Sequence, residues 1–140
     1  NTIESSLLGF AMNFFQSVKS AYTNYFVYKT RSSRSEYWWY ALFYLLATII
    51  LSILDFFLIL IIPEVSGYSI LTNLFVIVSV IPGLMLAIRR FHDLNRSGFW
   101  ILINLIPLVG VIINLIWFCR KGTDSPNRFG ENPLIKTNTI

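Results

Sequence analysis

The residues best equipped for chemistry lie in one block, Arg89-Arg90-Phe91-His92-Asp93-Leu94-Asn95-Arg96, set between two long apolar runs. In a chain that is 55% hydrophobic and 13% charged, such a block must sit where water or lipid headgroups solvate it. Two further polar groups accompany it: Arg31, Arg34 and Glu36 ahead of the first apolar run, and Asn127 and Arg128 in a turn-rich C-terminal stretch. Guanidinium forks take phosphate or carboxylate in bidentate fashion. Arg31, Arg34, Arg89, Arg90, Arg96 and Arg128, meeting Glu36, His92, Asp93 and Asn127 at one surface, would hold anionic lipid or an acidic partner. The same residues also read as a structural tie, Arg90 pairing with Asp93 and Arg34 with Glu36 to fasten a loop to a helix end.

Catalysis has less support. His92 and Asp93 are neighbours and would point different ways on a helix, and no nucleophile or carboxylate pair stands beside them. The nearby hydroxyl, Ser97, is placed to cap the N-terminus of the segment that follows it. One histidine and one cysteine, Cys119, exclude an internal disulfide and any multi-cysteine metal site, so neither metal nor cofactor is expected.

The elements that must position these groups follow from hydropathy. A mean hydropathy of +0.62 over 140 residues predicts an all-α integral membrane protein with a single domain, 1–140. Residues 1–30 form an amphipathic interfacial helix, with Phe10, Phe14, Val18, Tyr22 and Tyr25 on one side and Gln16, Lys19 and Thr23 on the other. Three hydrophobic segments follow at 37–62, 70–88 and 99–118, and a polar tail at 120–140. The first begins with a Tyr-Trp-Trp-Tyr belt and contains Asp55, expected to be solvated near the far interface. The second carries Pro82-Gly83, where a bend is expected. The third is broken between Pro107 and Gly110, with Asn104 and Asn114 on a shared face. The tail is dense in turn formers and reads as extended.

The 11 Lys and Arg against 7 Asp and Glu flank apolar segments instead of making a separate basic face, which favours anionic lipid over nucleic acid as the counter-charge. The connection at 63–69 has no cation, so the positive-inside rule puts it outside and the N-terminus in the cytoplasm. Two arrangements of the third segment remain. Either it crosses, leaving the tail's cations outside, or it re-enters, turns between Pro107 and Gly110, and returns every cation to the cytoplasmic side.

Four blocks also carry a resemblance: Tyr25-Phe26 with Arg31, Arg34-Ser35-Glu36-Tyr37-Trp38-Trp39; Arg89-Arg90-Phe91-His92-Asp93 with Arg96-Ser97-Gly98-Phe99-Trp100; Ile106-Pro107 with Gly110; and Gly122 with Asn127-Arg128-Phe129-Gly130 and Asn132-Pro133. In that order they resemble the bacterial inner-membrane family catalogued as domain of unknown function 805, over residues 22–133. The resemblance implies a small multi-pass inner-membrane protein and no known activity. Thr30 and Asn95 stand where that family usually has glycine, Phe91 where it has leucine, and Asn132 where it has aspartate; the two missing glycines predict turns that need no positive φ. Two functions are carried forward. One is a non-enzymatic accessory or scaffold subunit that binds anionic lipid, another membrane protein or a second copy of itself through the arginine cluster. The other is a small transporter or channel subunit built on the broken third segment.

Overall fold

The computed structural model describes residues 12–65 and 67–135. Within them the regular elements are helical: α1 (Phe14–Thr23), α2 (Arg34–Ile61), α3 (Ile70–Asp93) and α4 (Val109–Cys119), with 3₁₀ stretches at Pro63–Val65, Gly98–Leu105 and Pro133–Ile135. An isolated bridge pairs Asn127 with Gly130. The expected N-terminal helix before residue 12 and the tail beyond residue 135 lie outside the described residues.

α1 starts where a complete capping box permits it. The Gln16 N–H donates to the Asn13 side chain at 2.9 Å, and the Asn13 N–H donates to Gln16 Oε1 at 3.1 Å. It stops at Thr23 and does not run on to residue 30, because Asn24 turns the chain and donates its side-chain amide to the Ser20 carbonyl. Ser17 and Ala21 face inward, and Tyr22 meets the edges of Tyr40 and Phe43.

α2 and α3 are each long and apolar enough to cross a membrane. The 28 residues of α2 span about 42 Å against a hydrocarbon core of about 30 Å, so its ends reach beyond the apolar layer. Ser33 caps its start by accepting from the Glu36 N–H at 3.3 Å. Towards the other end the structure corrects the reading of Asp55. This carboxylate is buried, and it accepts the Leu71 and Thr72 N–H groups, each at 2.9 Å. Ser69, at the N-cap of α3, makes no side-chain capping bond, so α2 supplies the cap that α3 lacks.

α3 continues through Pro82 and on to Asp93, so Arg89 to Asp93 form its last turns and only Leu94 to Arg96 of the charged block lie beyond the helix. Proline lacks the N–H that would bond the carbonyl four residues earlier, that of Val78. The Tyr25 hydroxyl donates to the Val78 carbonyl at 2.6 Å, and the Tyr40 hydroxyl to the next one, Ser79, at 3.2 Å. Two tyrosines thereby satisfy carbonyls at the proline step. α3 ends in a Schellman motif, the Arg96 N–H donating to the Phe91 carbonyl and the Asn95 N–H to that of His92. Asn95 sits at φ +56°, contrary to the expectation from its missing glycine. Asparagine tolerates the left-handed region that this motif demands.

The third segment folds back on itself. Trp100 packs edge-on against Trp117 at 5.1 Å, and the Asn114 amide donates to Asn104 Oδ1 at 2.6 Å. A Cβ on Gly110 would lie 2.3 Å from the Ile103 carbonyl. These pairings run antiparallel about a tip at Leu108, whose φ of +64° and ψ of −54°, with the Val109 N–H donating to the Pro107 carbonyl, make a γ-turn. The first arm is 3₁₀ and not α-helical. At about 2.0 Å per residue its 8 residues reach about 16 Å, matching the 11 α-helical residues of α4.

The core lies at the charged end, where Ala21, Tyr40 and Leu86 form one buried cluster and Ala87, Phe91 and Phe118 another. Further along α2 and α3, residues such as Leu45, Ile50, Phe57 and Ile77 stay exposed.

Candidate functional site

Arg31, Glu36, Arg89, Arg90, His92 and Asp93 come together at that end and are all buried. Each arises from local structure. Glu36 stands one turn inside α2, Arg89 to Asp93 occupy the last turns of α3, and Arg31 lies on the linker that the Ser32 N–H anchors to the Arg89 carbonyl at 3.1 Å.

Asp93 is the hub. Its Oδ1 accepts from Arg31 at 3.0 Å, and its Oδ2 from Arg90. The rest of the Arg31 fork donates to the tail carbonyls of Thr123, Ser125 and Gly130. Arg90 donates onward to the carbonyls of Phe118 and Arg120, and Arg34 to that of Cys119 at 3.1 Å. Trp38 adds its indole N–H to the Phe118 carbonyl. The C-terminal carbonyls of α4, the negative end of its dipole, therefore receive arginines from both long helices. The tail lies close over Asp93 because residue 122 has no side chain: a Cβ on Gly122 would stand 2.0 Å from Asp93 Oδ2. The Thr123 N–H then reaches the Asp93 carbonyl at 2.9 Å.

The second pair is Arg89 with Glu36, at 3.3 Å. Glu36 also accepts the hydroxyls of Ser20 at 2.7 Å and Ser32 at 2.6 Å, so α1, the linker, α2 and α3 meet on one carboxylate. The expected pairing of Arg34 with Glu36 is not formed, since Arg34 turns to α4 while Glu36 faces inward. The pairing of Arg90 with Asp93 is formed.

His92 takes no part in the Asp93 hub. Its ring stacks on Phe129 at 3.9 Å, Nδ1 donates to the Thr30 carbonyl at 3.2 Å, and its own carbonyl accepts the Asn127 amide. Asn127 also accepts the Phe129 N–H at 2.8 Å, which turns the tail back on itself where an extended, turn-rich tail was expected. Arg128 is exposed, stacks over Phe129 and donates to the Asn95 carbonyl at 3.3 Å. Arg96 leaves the polar group altogether: its guanidinium lies over the Trp117 ring at 4.0 Å, between the arms of the hairpin.

Sequence reasoning named Tyr25 only for its helix face and its place in the family blocks, took Asp55 as solvated, and did not single out Ser20 or Ser32. Ser20, Tyr25 and Asp55 meet partners at least 16 residues away, and Ser32, though only four residues from Glu36, gives no signal that this carboxylate is buried.

Beside this group lies a cavity of about 710 Å³, lined by apolar Ile88, Phe99, Ile101 and Leu102 and by Lys29, His92 and Arg128. A helical chain with two membrane-length helices, closed at one end by buried arginines that tether a fold-back hairpin and a short tail, is the class of protein defined here. The chain belongs to the family described as Protein of unknown function (DUF805), which matches residues 25–131. It is 34% identical over 119 residues to Inner membrane protein YhaI of Escherichia coli (strain K12), an overlap of 85% of this chain and 96% of that relative. It is 35% identical over 113 residues to Inner membrane protein YhaH of the same organism, covering 81% and 92% respectively. No solved structure matches.

Proposed function

We propose that the protein is a non-enzymatic accessory or scaffold protein of the bacterial inner membrane, with its charged end cytoplasmic, and that it holds anionic lipid there. The observation that carries this reading is the 710 Å³ cavity. Its apolar wall suits the upper part of an acyl chain, while Lys29 and Arg128, exposed and outside any ion pair among the described residues, suit a phosphate. Lipid binding thus falls not to Arg31, Arg89, Arg90 and Arg96, which tie the elements together, but to the cations at the edge of the cluster. The names of the two relatives support the location.

The test compares lipid retained by the purified protein in nanodiscs of phosphatidylglycerol and of phosphatidylcholine. With Lys29→Gln and Arg128→Gln combined, the preference for the anionic lipid should fall by about fivefold to thirtyfold, at roughly 1 kcal/mol for each cation near the surface. An unchanged preference would sink the proposal.

A further inference from the structure

A second cavity, of about 290 Å³, has Ser20, Asn24, Thr30, Glu36, Arg89 and Asn132 among its walls. It is smaller and more polar than the first and opens to solvent past Thr30, Gly130 and Glu131, which are exposed. Arg89, 3% exposed, lines it. Its Nη1 is paired with Glu36, but Nε and Nη2 have no hydrogen-bond partner among the described residues. Those two nitrogens make one edge of the guanidinium, the edge whose parallel N–H groups grip both oxygens of a carboxylate or phosphate. A buried charged donor left empty costs far more than a satisfied one, so such an edge marks a place for an acceptor.

The charge balance points the same way. At this end of the molecule Arg31, Arg89 and Arg90 are buried against Glu36 and Asp93. Three cations against two anions leave one positive charge that no buried acid meets. Arg31 and Arg90 direct donors to Asp93 and to carbonyls, and Arg90, whose Nε is also unpaired, lines neither this cavity nor the larger one. Of the three, Arg89 alone combines an open edge with a place on the wall of either cavity; that edge is itself buried, so a ligand in the cavity must draw the guanidinium a short way outward to meet it.

We propose that this second cavity binds a small oxyanion, a carboxylate or a phosphate, gripped in bidentate fashion by Nε and Nη2 of Arg89. The Thr30 hydroxyl on its wall offers a further donor to the oxygens, and the bound charge balances the buried set. The two cavities share only Phe129 among their walls, and Lys29 and Arg128 line the first alone, so replacing those two cations should not abolish binding here.

The experiment titrates the full chain in detergent, in a buffer free of both anions, with inorganic phosphate in one arm and acetate in the other, following heat and unfolding temperature. Saturable binding of phosphate alone identifies a phosphate site, of acetate alone a carboxylate site, and of both the shared chemistry. Arg89→Lys keeps the charge beside Glu36 but removes the fork, and should weaken binding by about tenfold. Glu131→Gln, an exposed change that removes a repelling charge from the wall, should tighten it by about twofold to threefold. If the lysine variant does not fold, the Glu131 variant decides alone. Saturable binding of neither anion, as when water fills the edge, overturns the site, and so does binding that is unchanged in every variant that folds.

Discussion

Asp93, with a side chain 5% exposed, meets a guanidinium on each of its oxygens, one from the linker and one from its own helix. Two charges of one sign around one of the other are tolerated in a low-dielectric setting because the remaining N–H groups, Arg90 Nε apart, find the tail and α4 carbonyls. Removing the carboxylate would leave two buried arginines facing each other. Asp93→Asn should therefore destabilise the protein by about 3–5 kcal/mol, whereas Arg34→Gln, at an exposed site, should cost about 1 kcal/mol or less. Thermal unfolding of the two variants side by side checks this, and equal losses would show that the hub contributes no more than a surface pair. Residue types alone foretold that these groups would gather and that Arg90 would meet Asp93, three positions along the same helix. They could not foretell that Glu36 would turn to Arg89, since that depends on the rotation of α2 against α3.

Among the elements, the third segment is the one whose form was least legible. Its break between Pro107 and Gly110 could be read directly, because proline removes a donor and glycine a side chain. Whether the arms continued or doubled back could not, since both forms leave the same apolar run. The structure doubles them back, with the γ-turn at Leu108 as the tip and the Asn104 to Asn114 hydrogen bond tying the arms. Gly110 is the contact point: an added Cβ would press on the Ile103 carbonyl at 2.3 Å and the Asn104 Cα at 2.7 Å, both backbone atoms that cannot step aside. Gly110→Ala should cost about 1–3 kcal/mol or more. Gly83→Ala is the control. Its Cβ would meet only the Tyr40 ring at 3.6 Å, an ordinary contact, and inside α3 it should be neutral or stabilising by up to about 1 kcal/mol. Opposite shifts in unfolding temperature are expected, and a matching pair would refute the close approach.

For the whole molecule, both ends of the hairpin reach the charged end. Gly98 lies against Ile88 and His92, while Phe118, Cys119 and Arg120 take donors from Arg90 and Arg34. If α2 and α3 cross the membrane, residues 120–135 then lie on the same side as α1, as the re-entrant arrangement requires. Its arms of about 16 Å reach mid-bilayer and no further. In a Cys119→Ser background, a cysteine at exposed position 125 (Ser125→Cys) should react with a membrane-impermeant maleimide in inside-out vesicles and not in intact cells. Labelling from outside would exclude this topology.

The sequence by itself determined the helical class, the two long apolar segments and the polar residues available. Each of these rests on local hydropathy, spacing and side-chain chemistry: segment 70–88 lies wholly inside α3, and 37–62 lies within a residue of the end of α2. Tertiary structure alone decided that Asp55 caps α3, that Tyr25 serves the carbonyl freed by Pro82, that the tail turns under Arg31 and that Arg89 keeps an open edge. Each of those outcomes joins groups far apart in the chain. A buried donor or acceptor must find some partner, and which one it finds is set by how the helices pack.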